Sequence, residues 1–292
     1  MDPTLMLTAA WSLGGLALIL AMLLAVANRK LHVQEDPRID QVEDMLPHAN
    51  CGACGFPGCR PFAEALVKAE TSPAECSVSS PDSRFSIASY LGVSVGEATR
   101  KVARLACAGG VNVSRVHALY QGQNSCRGAA LIGGGGKGCA WGCLGFGDCF
   151  DVCDFNAIGM NSFQLPVVSE DLCTACNACV EICPKNLFSL QPQTRQLWVA
   201  CKSLEKGDVV LRHCEVGCTA CGKCVMDAPN GQVAMHQNLP VVDYSKQESK
   251  APIGRCPTGA IVWLDPELGV VKGHASPQIA RTSPMPPAST WD

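Results

Sequence analysis

Aromatic residues are scarce in this chain of 292 residues, where 3 Tyr, 8 Phe and 5 Trp amount to 5%. That is too few for one large conventional core. Charge is thin as well: Lys, Arg, Asp and Glu make up 17%, and the net charge of −3 leaves no basic footprint for nucleic acid. No Ser-His-Asp arrangement is evident, the six His are scattered, and no dinucleotide fingerprint offers a nicotinamide site, so the chain has no bond-making site of its own. The run Gly133 to Gly138 has Gly138 after Lys137, where a phosphate loop needs Ser or Thr, and reads as a turn. At 47% hydrophobic the chain is nevertheless too apolar for a disordered protein. What it has in excess is cysteine, 20 in all, with 28 Gly and 19 Pro. The spacings are those of metal ligands, which need reduced thiols and hence a reducing compartment.

From Leu5 to Ala27 no residue is charged. As a helix this run is about 35 Å long, enough to cross a hydrocarbon core of about 30 Å. A cleaved signal peptide is the alternative, since Ala25-Val-Ala27 resembles a cleavage site, but the N-terminal region has Asp2 and no Lys or Arg. Arg29, Lys30 and Arg38 follow the span, which by the positive-inside rule places the rest in the cytoplasm, on the inner face of the cytoplasmic membrane.

One phrase recurs four times: Cys153 to Met160, Cys183 to Leu190, Ala228 to Met235 and Cys256 to Trp263. Each joins a ligand position to a turn and a short β-prone run, a small unit that needs a partner to bury its face. The echo Leu165-Pro-Val-Val and Leu239-Pro-Val-Val suits a returning strand before the second unit of each pair. Upstream, Asp40 to Glu70 reads as helix, Cys-rich loop, helix, with Val42, Met45, Leu46, Phe62, Ala65, Leu66 and Ala69 at helical spacing. The expected fold is α+β: a transmembrane anchor (1–28), a small helical [4Fe–4S] domain (36–82), a connecting domain (84–135), a two-cluster ferredoxin module (136–200), a degenerate ferredoxin module (201–271) and a disordered tail (272–292).

Cys173-x2-Cys176-x2-Cys179-x3-Cys183-Pro184 is the bacterial [4Fe–4S] run, whose fourth thiolate reaches the neighbouring cluster. Zinc prefers separated pairs and would waste these thiols. The partner motif Cys139-x3-Cys143-x5-Cys149-x3-Cys153 has Phe146 where a second Cys would fall, with Cys139 as the obvious replacement. Crossing then gives one cluster on Cys139, Cys143, Cys149 and Cys183 and another on Cys153, Cys173, Cys176 and Cys179. Downstream, Cys218-x2-Cys221-x2-Cys224 lacks its fourth Cys at Ala228, and Lys246, Ser249 and Pro252 stand where three more are expected. The crossing rule makes those four vacancies one lost cluster and leaves Cys218, Cys221, Cys224 and Cys256 as a complete set. Cys51, Cys54, Cys59 and Cys76 form a fourth set, with zinc as the alternative. Cys107, Cys126, Cys201 and Cys214 remain, either a fifth cluster or redox-silent thiols.

With these residues in view, the sequence resembles the RnfB (RsxB) family of iron–sulfur subunits of Rnf membrane complexes over nearly its whole length. The resemblance rests on the N-terminal span, on Leu46-Pro-His-Ala-Asn-Cys-Gly-Ala-Cys-Gly-Phe-Pro-Gly-Cys-Arg60, on Gly138-Cys-Ala-Trp-Gly-Cys-Leu-Gly-Phe-Gly-Asp-Cys149 and on the repeats flanking Lys223. It implies an electron-transfer subunit working with membrane-embedded, flavin-binding and NADH-binding partners, exchanging electrons between soluble ferredoxin or flavodoxin and NAD, coupled to Na⁺ or H⁺ movement. It looks like the longer form, with an extra C-terminal ferredoxin pair. The departures at Ala228, Lys246, Ser249 and Pro252 keep the family's fuller cluster complement from being carried over. Two other functions fit the residues: a polyferredoxin domain of a different reductase, which would carry its own flavin, and a redox-sensing scaffold, which would transfer electrons slowly.

Overall fold

The structure, a computed structural model, describes residues 3–31 and 36–277, so the expected disordered tail lies outside the described residues from 278 onward. It mixes helix and sheet. The apolar run falls within helix α1 (Pro3–Leu31), where Trp11–Lys30 has a mean hydropathy of 1.9. The described side chains from Trp11 to Val26 are exposed. An apolar helix that no protein surface covers has lipid as its natural environment.

Helix α2 (Pro37–Asp44) starts where Asp36 caps the Arg38 N–H at 2.9 Å and Pro37 presets the first turn. It packs against α3 (Cys59–Val67), and α4 (Pro81–Leu91), capped by Ser80, closes the unit. The α3 helix ends before Ala69, which stands exposed in a left-handed conformation and not on the expected helical face. Val42, Leu46, Phe62, Leu66 and Ile87 are buried together with the sulfurs of Cys59 and Cys76. Arg60 ties the two helices by reaching Asp40 at 3.0 Å and Glu43 at 2.8 Å. Phe62→Ala should cost about 3–5 kcal/mol because a ring is lost from so small a core. Urea unfolding of the full chain, read at the Phe62 unit, checks it; a loss below about 1 kcal/mol would mean that this core does not hold the unit.

The remainder repeats one plan. Strand β1 (Lys101–Leu105) is followed by the short helices α5 (Cys126–Leu131) and α6 (Asp148–Asp151). The hairpin β2 (Ile158–Met160)/β3 (Pro166–Val168), helix α7 (Ala178–Ile182) and strand β4 (Phe188–Pro192) come next. Then β5 (Leu197–Val199), helices α8 (Asp208–His213) and α9 (Lys223–Asp227), and the hairpin β6 (Val233–His236)/β7 (Leu239–Val242) lead to β8 (Ile261–Asp265) and β9 (Gly269–Val271). In each half the outer strand pairs antiparallel with the last, β1 with β4 and β5 with β8, around the inner hairpin. The bonds that follow the outer strands are equivalent too: Ala106 N–H donates to Leu187 O at 2.8 Å, and Ala200 N–H to Ala260 O at 2.8 Å. The halves divide differently from the expected boundaries, because β1 comes from the 84–135 stretch and β5 from the end of the 136–200 stretch. Pairing across long loops decides this, and three-residue strands carry too little periodicity to show it.

Every core is small, and every one includes cysteine sulfurs. A chain with few rings makes up its apolar volume with thiols, and so ties its folding to whatever those thiols hold.

Candidate iron–sulfur centres

The twenty cysteines, none of them joined to another, line five cavities, four to a cavity. Three cavities hold the sets read from spacing: Cys51, Cys54, Cys59 and Cys76; Cys153, Cys173, Cys176 and Cys179; and Cys218, Cys221, Cys224 and Cys256. The other two exchange one residue relative to expectation. Cys126, not Cys139, lines a cavity with Cys143, Cys149 and Cys183, while Cys139 lies with Cys107, Cys201 and Cys214. The five spaces run only from about 310 to 370 Å³, as copies of one kind of group would require.

The exchange has a local cause. Phe146, standing where a second Cys would fall, turns its ring onto Tyr120, with centroids 5.4 Å apart. The chain beyond Tyr120 then enters α5, whose first amides, Cys126 N–H and Arg127 N–H, are held by Asp148 at 2.7 and 3.1 Å. Burial raises the Cys126 thiol pKa, while the N–H groups of Asp148, Phe146 and Gly147 at the start of α6 pull it back. Cys126 thus fills the gap that Phe146 leaves, and Cys139 is free for the cavity between the halves.

That central cavity is pseudo-symmetric. Cys107 and Cys201 each lie two residues beyond an outer strand, at Leu105-Ala-Cys107 and Val199-Ala-Cys201. Each accepts a backbone N–H from its own half's next ligand loop, Cys107 from Cys143 at 3.4 Å and Cys201 from Cys218 at 3.3 Å. Cys139 and Cys214 lie four residues before Cys143 and Cys218. The repeated Ala-Cys and Cys-x3-Cys spacings were the available signals for this set; neither reads as a ligand motif until the two halves are superposed.

The donor set fits iron–sulfur cubes better than single ions. Among the described residues no three of His, Cys, Asp and Glu stand close enough to hold one metal ion, whereas four thiolates on one zinc would lie about 3.8 Å apart. Burial drives the thiols of Cys143, Cys149, Cys179 and Cys214 up to about 12, and those of Cys201, Cys218 and Cys224 to about 11. Such sulfurs become thiolates only if a cationic group takes the place of their protons. Against that burial, N–H groups two residues beyond a Cys favour the thiolate, among them Ala53, Phe56, Trp141, Gly145, Val216 and Ala220. Amides on ligand sulfurs raise a cluster's reduction potential. Two hydroxyls lining cavities, Ser114 Oγ and Thr174 Oγ1, are buried with no hydrogen-bond partner among the described residues, as donors awaiting an acceptor in the cavity would be.

The four vacated ligand positions serve as structure. Lys246 donates to Gly231 O at 2.9 Å, Ser249 Oγ accepts Ala251 N–H at 3.2 Å, Pro252 is buried and Ala228 packs on the local core. Between them, Tyr244 Oη donates to Leu197 O at 2.9 Å, and Glu248 accepts the N–H groups of Gln196 and Leu197. A ligand loop has become a clamp on β5.

Neighbouring cavities touch. The Cys51 thiol feels the Cys176 thiol, and Ser77 Oγ donates to Thr174 O at 2.6 Å across the same junction. Cys149 feels Cys179. The Cys143 and Cys218 amides on Cys107 and Cys201 make the remaining two junctions. Nineteen cysteines are buried or half-buried, and only Cys221 is exposed.

Two family descriptions match parts of the chain: that of an Fe-S cluster covers residues 46–78, and that of a 4Fe-4S binding domain covers residues 166–188. Three relatives are B-type subunits of membrane complexes. The chain is 36% identical to that of the Na(+)-translocating ferredoxin:NAD(+) oxidoreductase complex of Acetobacterium woodii, over 85% of this chain and 75% of that one. It is 37% identical to that of the proton-translocating ferredoxin:NAD(+) oxidoreductase complex of Clostridium ljungdahlii, over 84% and 88%. Against that of the ion-translocating oxidoreductase complex of Methanosarcina acetivorans, identity is 33% over 85% and 95%.

Proposed function

Because the chain belongs to the family of B-type subunits of ion-translocating oxidoreductase complexes, we propose that it passes electrons along five [4Fe–4S] centres between soluble ferredoxin and the membrane part of a ferredoxin:NAD(+) oxidoreductase. The clusters supply one-electron chemistry without bond-making, which suits a chain that has no catalytic residues. The observation that carries the reading is the line of four junctions. It runs from the Cys51 cage through the cages of Cys173, Cys143 and Cys107 to that of Cys218.

The two ends differ. Leu31 and Asp36 are five residues apart in sequence, at most about 18 Å of chain, so the Cys51 unit stays near the membrane surface. The Cys218 cage lies at the opposite end of the line and has the exposed sulfur, so ferredoxin or flavodoxin docks there. Arg29 and Lys30 in the last turn of α1, with Arg38 beyond, put both ends on the cytoplasmic side of the inner membrane. Flavin-binding and NADH-binding subunits then take electrons beyond the Cys51 end. Two ferredoxin-like modules, 101–192 and 197–271, share the central centre.

Iron and sulfide counting on the purified full chain, with EPR, tests the reading. About twenty of each per chain are expected. About sixteen would take the central cage out of the line, and zinc in place of iron would end the proposal.

A further inference from the structure

The central cage is lined by more than its four cysteines. Ser114 pairs by a β-bridge with Cys214, is 0% exposed, and its Oγ has no hydrogen-bond partner among the described residues. Gly109 backs the same corner, where an added Cβ would stand 3.0 Å from the Cys214 sulfur and 3.7 Å from Ser114 Cβ. Lys137 lines the cavity as well. Its ammonium is held by Gly109 O at 2.6 Å and by Cys143 O, so it stands where the central cage meets the Cys143 cage. No ion pair among the described residues includes it.

A buried hydroxyl is not left unpaired without cost, and the sulfurs of a cage are the acceptors within its cavity. A fixed cation beside four thiolates favours the more negative of two redox states. Resting on the five-centre reading above, we propose that Ser114, by donating its hydroxyl to a cage sulfur, and Lys137, by its charge, hold the central centre at a higher reduction potential than its four thiolates alone would give. Neither residue changes its own bonds: Ser114 keeps its proton and Lys137 its charge while one electron passes. The middle of the line is then a resting place for the electron, and Lys137 acts on the Cys143 centre too.

The test uses the full chain in detergent, with Ser114→Ala, Lys137→Gln and Lys137→Arg compared by iron content and EPR-monitored redox titration. Iron is expected to stay at about twenty per chain. At the unmodified midpoint, the reduced-to-oxidised ratio of one signal should fall about tenfold in Ser114→Ala and in Lys137→Gln, 59 mV for a one-electron couple. Lys137→Arg should stay near the unmodified value. Unmoved midpoints in Ser114→Ala and Lys137→Gln at full iron overturn the proposal, as does an Arg variant that shifts as far as Gln. Iron lost in Lys137→Gln and restored in Lys137→Arg supports the role of charge; iron lost in both makes Lys137 a loop clamp and removes it from the proposal, with Ser114→Ala deciding the rest. If Ser114→Ala itself loses iron, Ser114 is a packing residue and its part is withdrawn. About sixteen irons in the unmodified chain would instead fail the five-centre reading.

Discussion

Cys139→Ala is expected to empty the central centre, and Cys126→Ala the one beside it. Each change should remove about four of about twenty irons, together with a different EPR signal. The pairing pattern is the sharper measurement. Cys139 shares its cavity with Cys107, so the double change Cys107→Ala/Cys139→Ala should lose no more iron than Cys139→Ala alone. Cys126→Ala/Cys139→Ala should lose about eight, and so should Cys139→Ala/Cys143→Ala, since those residues line different cavities. Residues acting as one unit are non-additive and independent ones add. If Cys139→Ala/Cys143→Ala cost only one centre, Cys139 would belong with Cys143, as spacing alone suggests.

Removing the central centre should also cut the line in two. In Cys201→Ala/Cys214→Ala, reduced ferredoxin is expected to reduce only the Cys218 centre, leaving the three nearer the membrane oxidised, while dithionite still reduces all four that remain. Ferredoxin-driven NAD⁺ reduction by the assembled complex should be lost. The argument is geometric: the Cys218 cage meets the rest of the line through Cys201, and no other junction reaches it. Rapid reduction of the Cys51, Cys173 and Cys143 centres by ferredoxin in this variant would place docking elsewhere along the line and sink the assignment of the exposed Cys221 end.

Much of this was legible in the chain as a string. The tight motifs around Cys51, Cys173 and Cys218 put their thiols on one or two turns, and short loops leave few ways to close around a shared space, so spacing and geometry agree there. The reach of Cys153 and Cys256 followed from the four-fold phrase. Cys126 was not legible, because its place depends on Asp148 holding two amides 21 and 22 residues away and on Phe146 turning to Tyr120. Nor was β1, whose partner β4 lies more than eighty residues on. Neither contact leaves a periodic trace.

Local chemistry fixed in one dimension what this protein is made for: a run of uncharged residues long enough for a bilayer, thiols at ligand spacing, and too few rings or catalytic groups for anything but carrying electrons. Only folding in three dimensions decided how the thiols are shared. A cage at the seam of two repeats takes half its sulfurs from each, so its membership depends on how the halves meet, and no count of intervening residues contains that.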